Sequence, residues 1–394
     1  MSSIKGFVNS LKLTKKTFFI SGIEIDKEDD TKTSIFKWLF HFNMLWLHTD
    51  VFSEFSWLIE GINMRKSLAD LSMVAPCTTI CLLATAKSLN IYLYRDVLDS
   101  AVAKLRELYP SDVKEGSVES QILERSMKFL NIVVLFLSAC CVVVTVIFSS
   151  MPLILMGYEY YQLGYTELKL PFLTEYFFDS YANKMIWSFV YLHQVWSTVI
   201  VCLNLFATDT LFYAFCAHLQ MHFNFLCHDF ENIVRTTDDE TRRELRKCAR
   251  RHQDLIELVD KMELLYSKSN LFNILSSSLL ICLSGFNITL LENSKAASLT
   301  FIPFLVVSFT QISLMCFFGD MLMASSTKIS DAIYNSRWYN AAPDVKRNLL
   351  FVLFRARKPC KVTAANFAVI NLTAFTTILS RSWSYFALLR TMYG

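Results

Sequence analysis

The sequence predicts an all-α membrane protein of seven transmembrane helices, with a cytoplasmic N-terminus and an extracellular C-terminus, and three observations predict it. The 394 residues are 53% hydrophobic and 14% aromatic, with mean hydropathy +0.35, well above the usage of soluble domains. Windows of roughly 20 mostly apolar residues, enough to cross a bilayer as a helix, recur along the whole chain. Lysine and arginine crowd into alternate connections between those windows.

Taken in order, residues 1–33 read as a cytoplasmic segment. "TFFISGI" is too short for a signal core and lacks a small-residue cleavage site, so the expectation is an interfacial or re-entrant amphipathic helix. Spans are predicted over 34–60, 68–94, 129–157, 184–214, 269–291 and 297–326, a six-helix bundle within 34–326. The first, third and fourth are the clearest, as in "FLNIVVLFLSACCVVVTVIFSSMPLILM", whereas the second and seventh carry more polar residues than lipid alone accepts. Residues 327–360 read as a cytoplasmic helix, and 361–394 hold the seventh span and a short outer terminus.

Short loops rich in Lys and Arg stay in the cytoplasm. Seven lie in 1–37, seven from Lys87 to Lys128, nine in 227–268 and eight in 328–361. The alternate connections hold only Arg65 and Lys66, then Lys169 and Lys184, then Lys295, then Arg390. That inside N-terminus argues against a G-protein-coupled receptor, and no Asp-Arg-Tyr closes the third span. All eleven cysteines fall in spans or cytoplasmic segments, leaving the outer loops without a disulfide.

Catalysis finds no support. His218 and His222 stand one helical turn apart but lack the glutamate of a His-Glu-x-x-His site. They read as polar groups where a helix enters the cytoplasm. There is no phosphate-cradling glycine loop and no nucleophile elbow, and no cofactor or metal is expected. The basic tract "RRELRKCARRHQDLIELVDKME" interleaves acids and reads as a solvated helical extension, so nucleic acid is not an expected partner. Leu255, Leu258, Val259, Met262 and Leu265 form an apolar seam at helical spacing, open to packing within the chain or between subunits. The Asn-Ile-Thr at Asn287 is formally a glycosylation site but lies within the outer turns of the fifth span, too close to lipid for modification.

The last sixty residues carry a more specific pattern. Trp338 and Tyr339 precede Pro343, a short basic amphipathic helix ends in "RARKP" from Arg355 to Pro359, Phe367 opens the last span, and "SYFALLR" runs from Ser384 to Arg390. With the inverted topology, this resembles the insect odorant receptor family. The chain lacks the long connection between spans four and five of that family's shared co-receptor, Orco, and so is similar to its odorant-tuning subunits. Of the gustatory receptors' terminal Thr-Tyr pattern only Ser384 and Tyr385 remain; the alternative is a gustatory-type channel that assembles without Orco.

The resemblance implies the insect odorant receptor channel fold, with a cytoplasmic anchor of extended helices. It also implies a heterotetramer with Orco in the plasma membrane of olfactory sensory neurons, a ligand-gated, non-selective cation channel that needs no G protein. Its partners would be Orco, membrane lipid and a small volatile organic ligand. Trp338, Tyr339, Arg355 and Pro359 would belong to the subunit anchor, and the seventh helices would line the pore. Independently of the family, Thr373, Thr377, Arg381, Ser384, Leu388 and Thr391 fall on one helical face. Such a stripe suits a pore wall or a packing interface equally. The resemblance tips it to a pore, with Leu388 at the hydrophobic gate; Arg381 departs from a simple cation path. The family places its ligand among the outer halves of spans two, three, four and six. The candidates there are Met73 and Thr78; Ile147, Phe148 and Met151; Phe189, Val190 and His193; and Phe304, Ser308 and Gln311. His193 and Gln311 are the polar groups that a ligand oxygen or a neighbouring helix would satisfy.

Overall fold

The computed structural model describes residues 3–25, 33–110, 113, 115–290 and 295–393. Lys27, Lys32 and Lys114, counted above for topology, lie outside the described residues, as do the side chains of Lys5 and Lys295. Helices dominate: α1 Ser3–Ser21, α2 Thr33–Asn63, α3 Leu68–Ser72, α4 Ala75–Leu93, α5 Arg95–Glu107, α6 Val118–Leu163, α7 Lys184–Glu231, α8 Asp238–Leu290, α9 Lys295–Asn335, α10 Pro343–Ala356 and α11 Leu372–Tyr393. A 3₁₀ turn, Trp338–Asn340, precedes α10, and a two-stranded hairpin, β1 Thr363–Ala364 with β2 Ala368–Val369, precedes α11.

Local chemistry sets the boundaries. Ser117 accepts from the Ser120 amide to start α6, and Gly164, at φ 77°, ends it in the left-handed region that glycine tolerates. Asn183 accepts from the Ile186 amide to start α7. The predicted second span is split into α3 and α4, because Pro76 at the head of α4 supplies no amide to continue the preceding turn.

Five described helices are long and apolar enough to cross a membrane: those within 70–93, 118–163, 184–231, 238–290 and 301–335. The predicted first and seventh spans also form helices, of 31 and 22 residues, yet neither matches that composition. Lys37, His41, Asp50 and Glu54 interrupt α2, which corrects its reading as one of the clearest spans. Hydroxyls and Arg381 do the same in α11.

At 1.5 Å per residue α7 and α8 run about 70–80 Å, more than twice the hydrocarbon thickness. Their surplus continues outside the bilayer as an extended helical stalk. The Leu255–Leu265 seam of α8 is fully buried there within the chain itself, and α8 packs on α5, α7, α9 and α10. No second subunit is needed to cover it. Arg242 clamps Asp344 of α10 through two hydrogen bonds, of 2.8 and 3.2 Å, and Arg251 reaches Asp229 at 3.3 Å. These pairs are half-exposed to exposed and fix register more than they add stability.

At the centre stands α7, nearly all of whose middle is buried, between α1, α4, α6 and α9. α1 buries Phe7, Leu11 and Phe18 against it and leaves Val8, Leu13, Phe19 and Ile20 outward. The expected surface segment is therefore anchored protein-side while its other face is apolar. His218 serves this joint. Tyr109 Oη donates to its Nδ1 (2.6 Å), its Nε2 lies 3.0 Å from Ser10 Oγ, and Ser10 donates onward to the Phe7 carbonyl. Both ring nitrogens are thus engaged, and the ring is buried rather than interfacial.

The seventh helix starts at Leu372, not 361. The hairpin takes up the difference, turning through Ala365 and Asn366 at φ 48° and 62°. Glu263 and Ser267 of α8 accept its Thr363 and Ala365 amides at 2.6 and 3.0 Å, and Asn371 Oδ1 accepts from Ala374 to cap α11.

Candidate ligand cavity and pore-facing helix

A cavity of ≈ 170 Å³ lies between α2, the α3–α4 break, α6, α9 and the connection from α6 to α7. Phe148, Phe172, Phe301 and Phe304 supply its apolar walls, with Met73 and Cys77, and Glu54 supplies a carboxyl group. A smaller lobe of ≈ 50 Å³ shares Cys77, Phe148, Phe172 and Phe304 and continues to Asp50, Ser197 and Thr198. The larger hollow of ≈ 470 Å³ along α6, from Glu124 to Leu135, is an open surface groove remote from these groups.

The sequence explains each wall. Asp50 and Glu54 are one turn apart, so they share a face of α2. The α6–α7 connection folds back over the bundle: Phe172 donates its amide to Gln194 Oε1 (3.1 Å), Gln194 Nε2 donates to Thr174 (2.9 Å), and Glu175 donates to the Ser53 carbonyl (2.9 Å). Trp187 Nε1 donates to the Lys169 carbonyl at 3.2 Å, and Lys169 pairs with Glu159, closing the base of that connection.

Of the predicted ligand residues, Met73, Phe148 and Phe304 line the cavity. Thr78 stands behind it, donating to Glu54 Oε2 at 2.8 Å. Ile147 and Phe189 turn outward, 40% and 62% exposed, because the third and fourth spans present those faces away from the bundle. Met151 is half-buried and Val190 buried, both off the cavity wall. Ser308 is spent on the Phe304 carbonyl at 2.7 Å.

The two favoured polar groups have protein partners. His193 meets Thr49 Oγ1 at 2.9 Å and the Tyr176 hydroxyl at 3.2 Å. Gln311 Nε2 donates to Asp209 at 2.6 Å, and Asp209 in turn holds Lys87 at 2.5 Å. Lys87, counted above among the loop cations, is thus a buried member of α4, which corrects that count. Glu54 and Phe172 were missed. A carboxylate inside an apolar span was a signal for the first; the second comes from a connection whose fold-back no periodicity encodes.

Along α11 the two faces separate. Thr373, Thr377, Arg381, Ser384, Leu388 and Thr391 are all exposed. The opposite face packs on α8 and α9: Ile378 and Ser382 are buried, Ser382 Oγ lies 2.8 Å from Ser278 Oγ, and Phe375 meets Phe309 edge-on at 5.6 Å. In the anchor region Trp338, Tyr339 and Pro359 are exposed, and Arg355 donates to the Lys358 carbonyl at 3.2 Å. Among the described residues all eleven cysteines are free, and no cluster of histidine, cysteine and carboxylate side chains could hold a metal.

Residues 67–382 match the family model described as 7tm Odorant receptor. The chain belongs to the 7tm odorant receptor family. As a member of it, this multi-pass membrane protein is a receptor and not an enzyme. Odorant receptor 67c of Drosophila melanogaster is 26% identical over 368 residues, covering 92% of this receptor and 89% of that one. The receptor's fold is shared with the solved insect olfactory receptor OR5 from Machilis hrabei, with TM-score 0.79 at 14% identity over 97% of this chain and 98% of that one. The same OR5 in complex with eugenol gives 0.80 at 14% identity, covering 98% and 99%.

Proposed function

We propose that this receptor is the odorant-tuning subunit of a heteromeric, ligand-gated, non-selective cation channel formed with Orco in the plasma membrane of olfactory sensory neurons. A small volatile molecule fills the cavity bounded by Phe148, Phe172 and Phe304; the similar fold of OR5 has been solved in complex with eugenol. The seventh helices of four subunits surround the conduction path. The observation that carries this reading is the bare polar stripe of α11. A helix that buries Ile378 and Ser382 on one side and leaves Thr377, Arg381 and Ser384 uncovered on the other is unsuited to lipid. It suits a water-filled lumen. Leu388, the apolar member of the stripe, closes that lumen by dewetting, while Arg381 on the same face lowers this subunit's share of cation flux.

Cysteine accessibility tests it. In the channel with Orco, Thr377→Cys, Ser384→Cys and Leu388→Cys are expected to let a charged thiol reagent block ligand-evoked current, whereas Ile378→Cys and Ser382→Cys do not. The eleven native cysteines are buried or half-buried, which keeps the background low. Equal block on both faces, or none on the stripe, contradicts α11 as the pore wall.

A further inference from the structure

We infer that the main cavity takes a small volatile amine, its nitrogen held as an ammonium by Glu54 and its carbon body by Phe148, Phe172 and Phe304. The inference rests on the reading of this cavity as the odorant site and narrows the ligand's chemistry. Glu54 is only 1% exposed yet forms part of the cavity wall. One hydroxyl, that of Thr78, serves it, and among the described residues it has no ion-pair partner.

Asp50, one turn away, differs. The Tyr176 hydroxyl reaches it at 3.4 Å and His193 Nδ1 lies at 3.9 Å, so it has protein groups to share its proton or charge. Glu54 is the group left over. A carboxylate deep in an apolar bundle without a cation is costly, and a ligand that brings the cation offsets that cost. An ester, ketone or ether oxygen can accept only one hydrogen bond from the neutral carboxyl and brings no cation to it.

The walls point the same way. Phe148 meets Phe304 edge-on at 5.0 Å between centroids and stacks on Phe172 at 6.0 Å. Aromatic rings that line the same cavity as a carboxyl group make a setting that favours an ammonium group. Amine and carboxyl bring one proton between them: it ends on nitrogen, leaving a carboxylate and an ammonium, and nothing else is consumed. The volume of ≈ 170 Å³ limits the guest to a short chain or a single ring.

The experiment uses the purified full-length protein. Thermal stabilisation is titrated with pentylamine, 1-pentanol and 2-pentanone, on wild type, Glu54→Gln and Phe172→Leu, with ligand-evoked current recorded in parallel from cells expressing the same chains with Orco. Expected is stabilisation by pentylamine whose half-saturating concentration rises at least about tenfold in Glu54→Gln, with little change for the alcohol. Phe172→Leu, which keeps an apolar side chain in the connection between α6 and α7, raises the amine value several-fold and so keeps the test open should Glu54→Gln misfold. Indifference of the wild type to pentylamine, or equal amine binding by both variants and wild type, overturns the inference. Amine binding without current would sink the channel reading and leave this one; current evoked only by the neutral compounds would do the reverse.

Discussion

The buried pair of Lys87 and Asp209 gives the sharpest stability prediction. Its atoms are 2.5 Å apart, the side chains are 5% and 18% exposed, and Gln311 donates to the second carboxylate oxygen at 2.6 Å. Lys87→Met removes the only cation facing Asp209 among the described residues, leaving a buried charge with one amide donor. Breaking one half of such a pair costs about 3–5 kcal/mol. Unfolding entropy near 2.1 cal/mol/K per residue makes each kcal/mol worth about 1 °C in a chain this long, so Tm should fall by about 4–6 °C. Asp209→Leu alone should fall as far, because it strands the ammonium. The double variant removes both charges and should recover to within about 1 kcal/mol of wild type, as apolar replacements of buried pairs do. The assay is thermal unfolding in one fixed detergent. Additive losses in the double variant, or a harmless Lys87→Met, would refute the coupling.

Other outcomes follow from single sites. A Cβ on Gly319 would sit 2.4 Å from the Ile370 carbonyl oxygen, so Gly319→Ala should displace the hairpin before α11 and destabilise by about 1–3 kcal/mol, read by thermal unfolding and by reduced evoked current. Burial, with Arg355 nearby, pushes the His252 imidazole down to about 4. The unfolded chain then takes the proton first, so stability is intact above about pH 6.5 and declines by up to about 1.4 kcal/mol per pH unit toward pH 4; unfolding of His252→Gln against wild type across that range should show a flatter acid limb. Leu388→Ala should raise resting conductance at equal surface expression. Asn287 is buried, its Nδ2 donating to the Ser72 carbonyl at 3.0 Å, so glycosidase treatment should shift the mobility of wild type and Asn287→Gln identically.

Where apolar runs were long, the sequence was legible. The third to sixth spans and the seam from Leu255 to Leu265 follow from windowed hydropathy and 3.6-residue spacing, which the bilayer and the core impose on side chains directly. The polar stripe on α11 was legible for the same reason. Charges inside helices were harder. Lys87 read as a loop cation because its partner, Asp209, lies 122 positions away, and such pairings are tertiary. The hairpin at Thr363–Val369 hid within an apolar stretch whose turn depends on two left-handed residues. In the candidate site, Met73, Phe148 and Phe304 came from placing the outer halves of helices, whereas Phe172 arrives by a fold-back held by Gln194. Ile147 and Phe189 fall outside the cavity wall, since an apolar residue in a span fits lipid as readily as a pocket.

The measurement that bears most directly on the whole account is whole-cell current from cells expressing this receptor alone, Orco alone and the two together, challenged with volatile amines, alcohols, ketones, esters and aromatics. Reversible cation current in the pair, to a ligand that Orco alone ignores, is the predicted result. Current of equal size from the receptor alone, or none in the pair to any volatile despite confirmed surface expression, would contradict it.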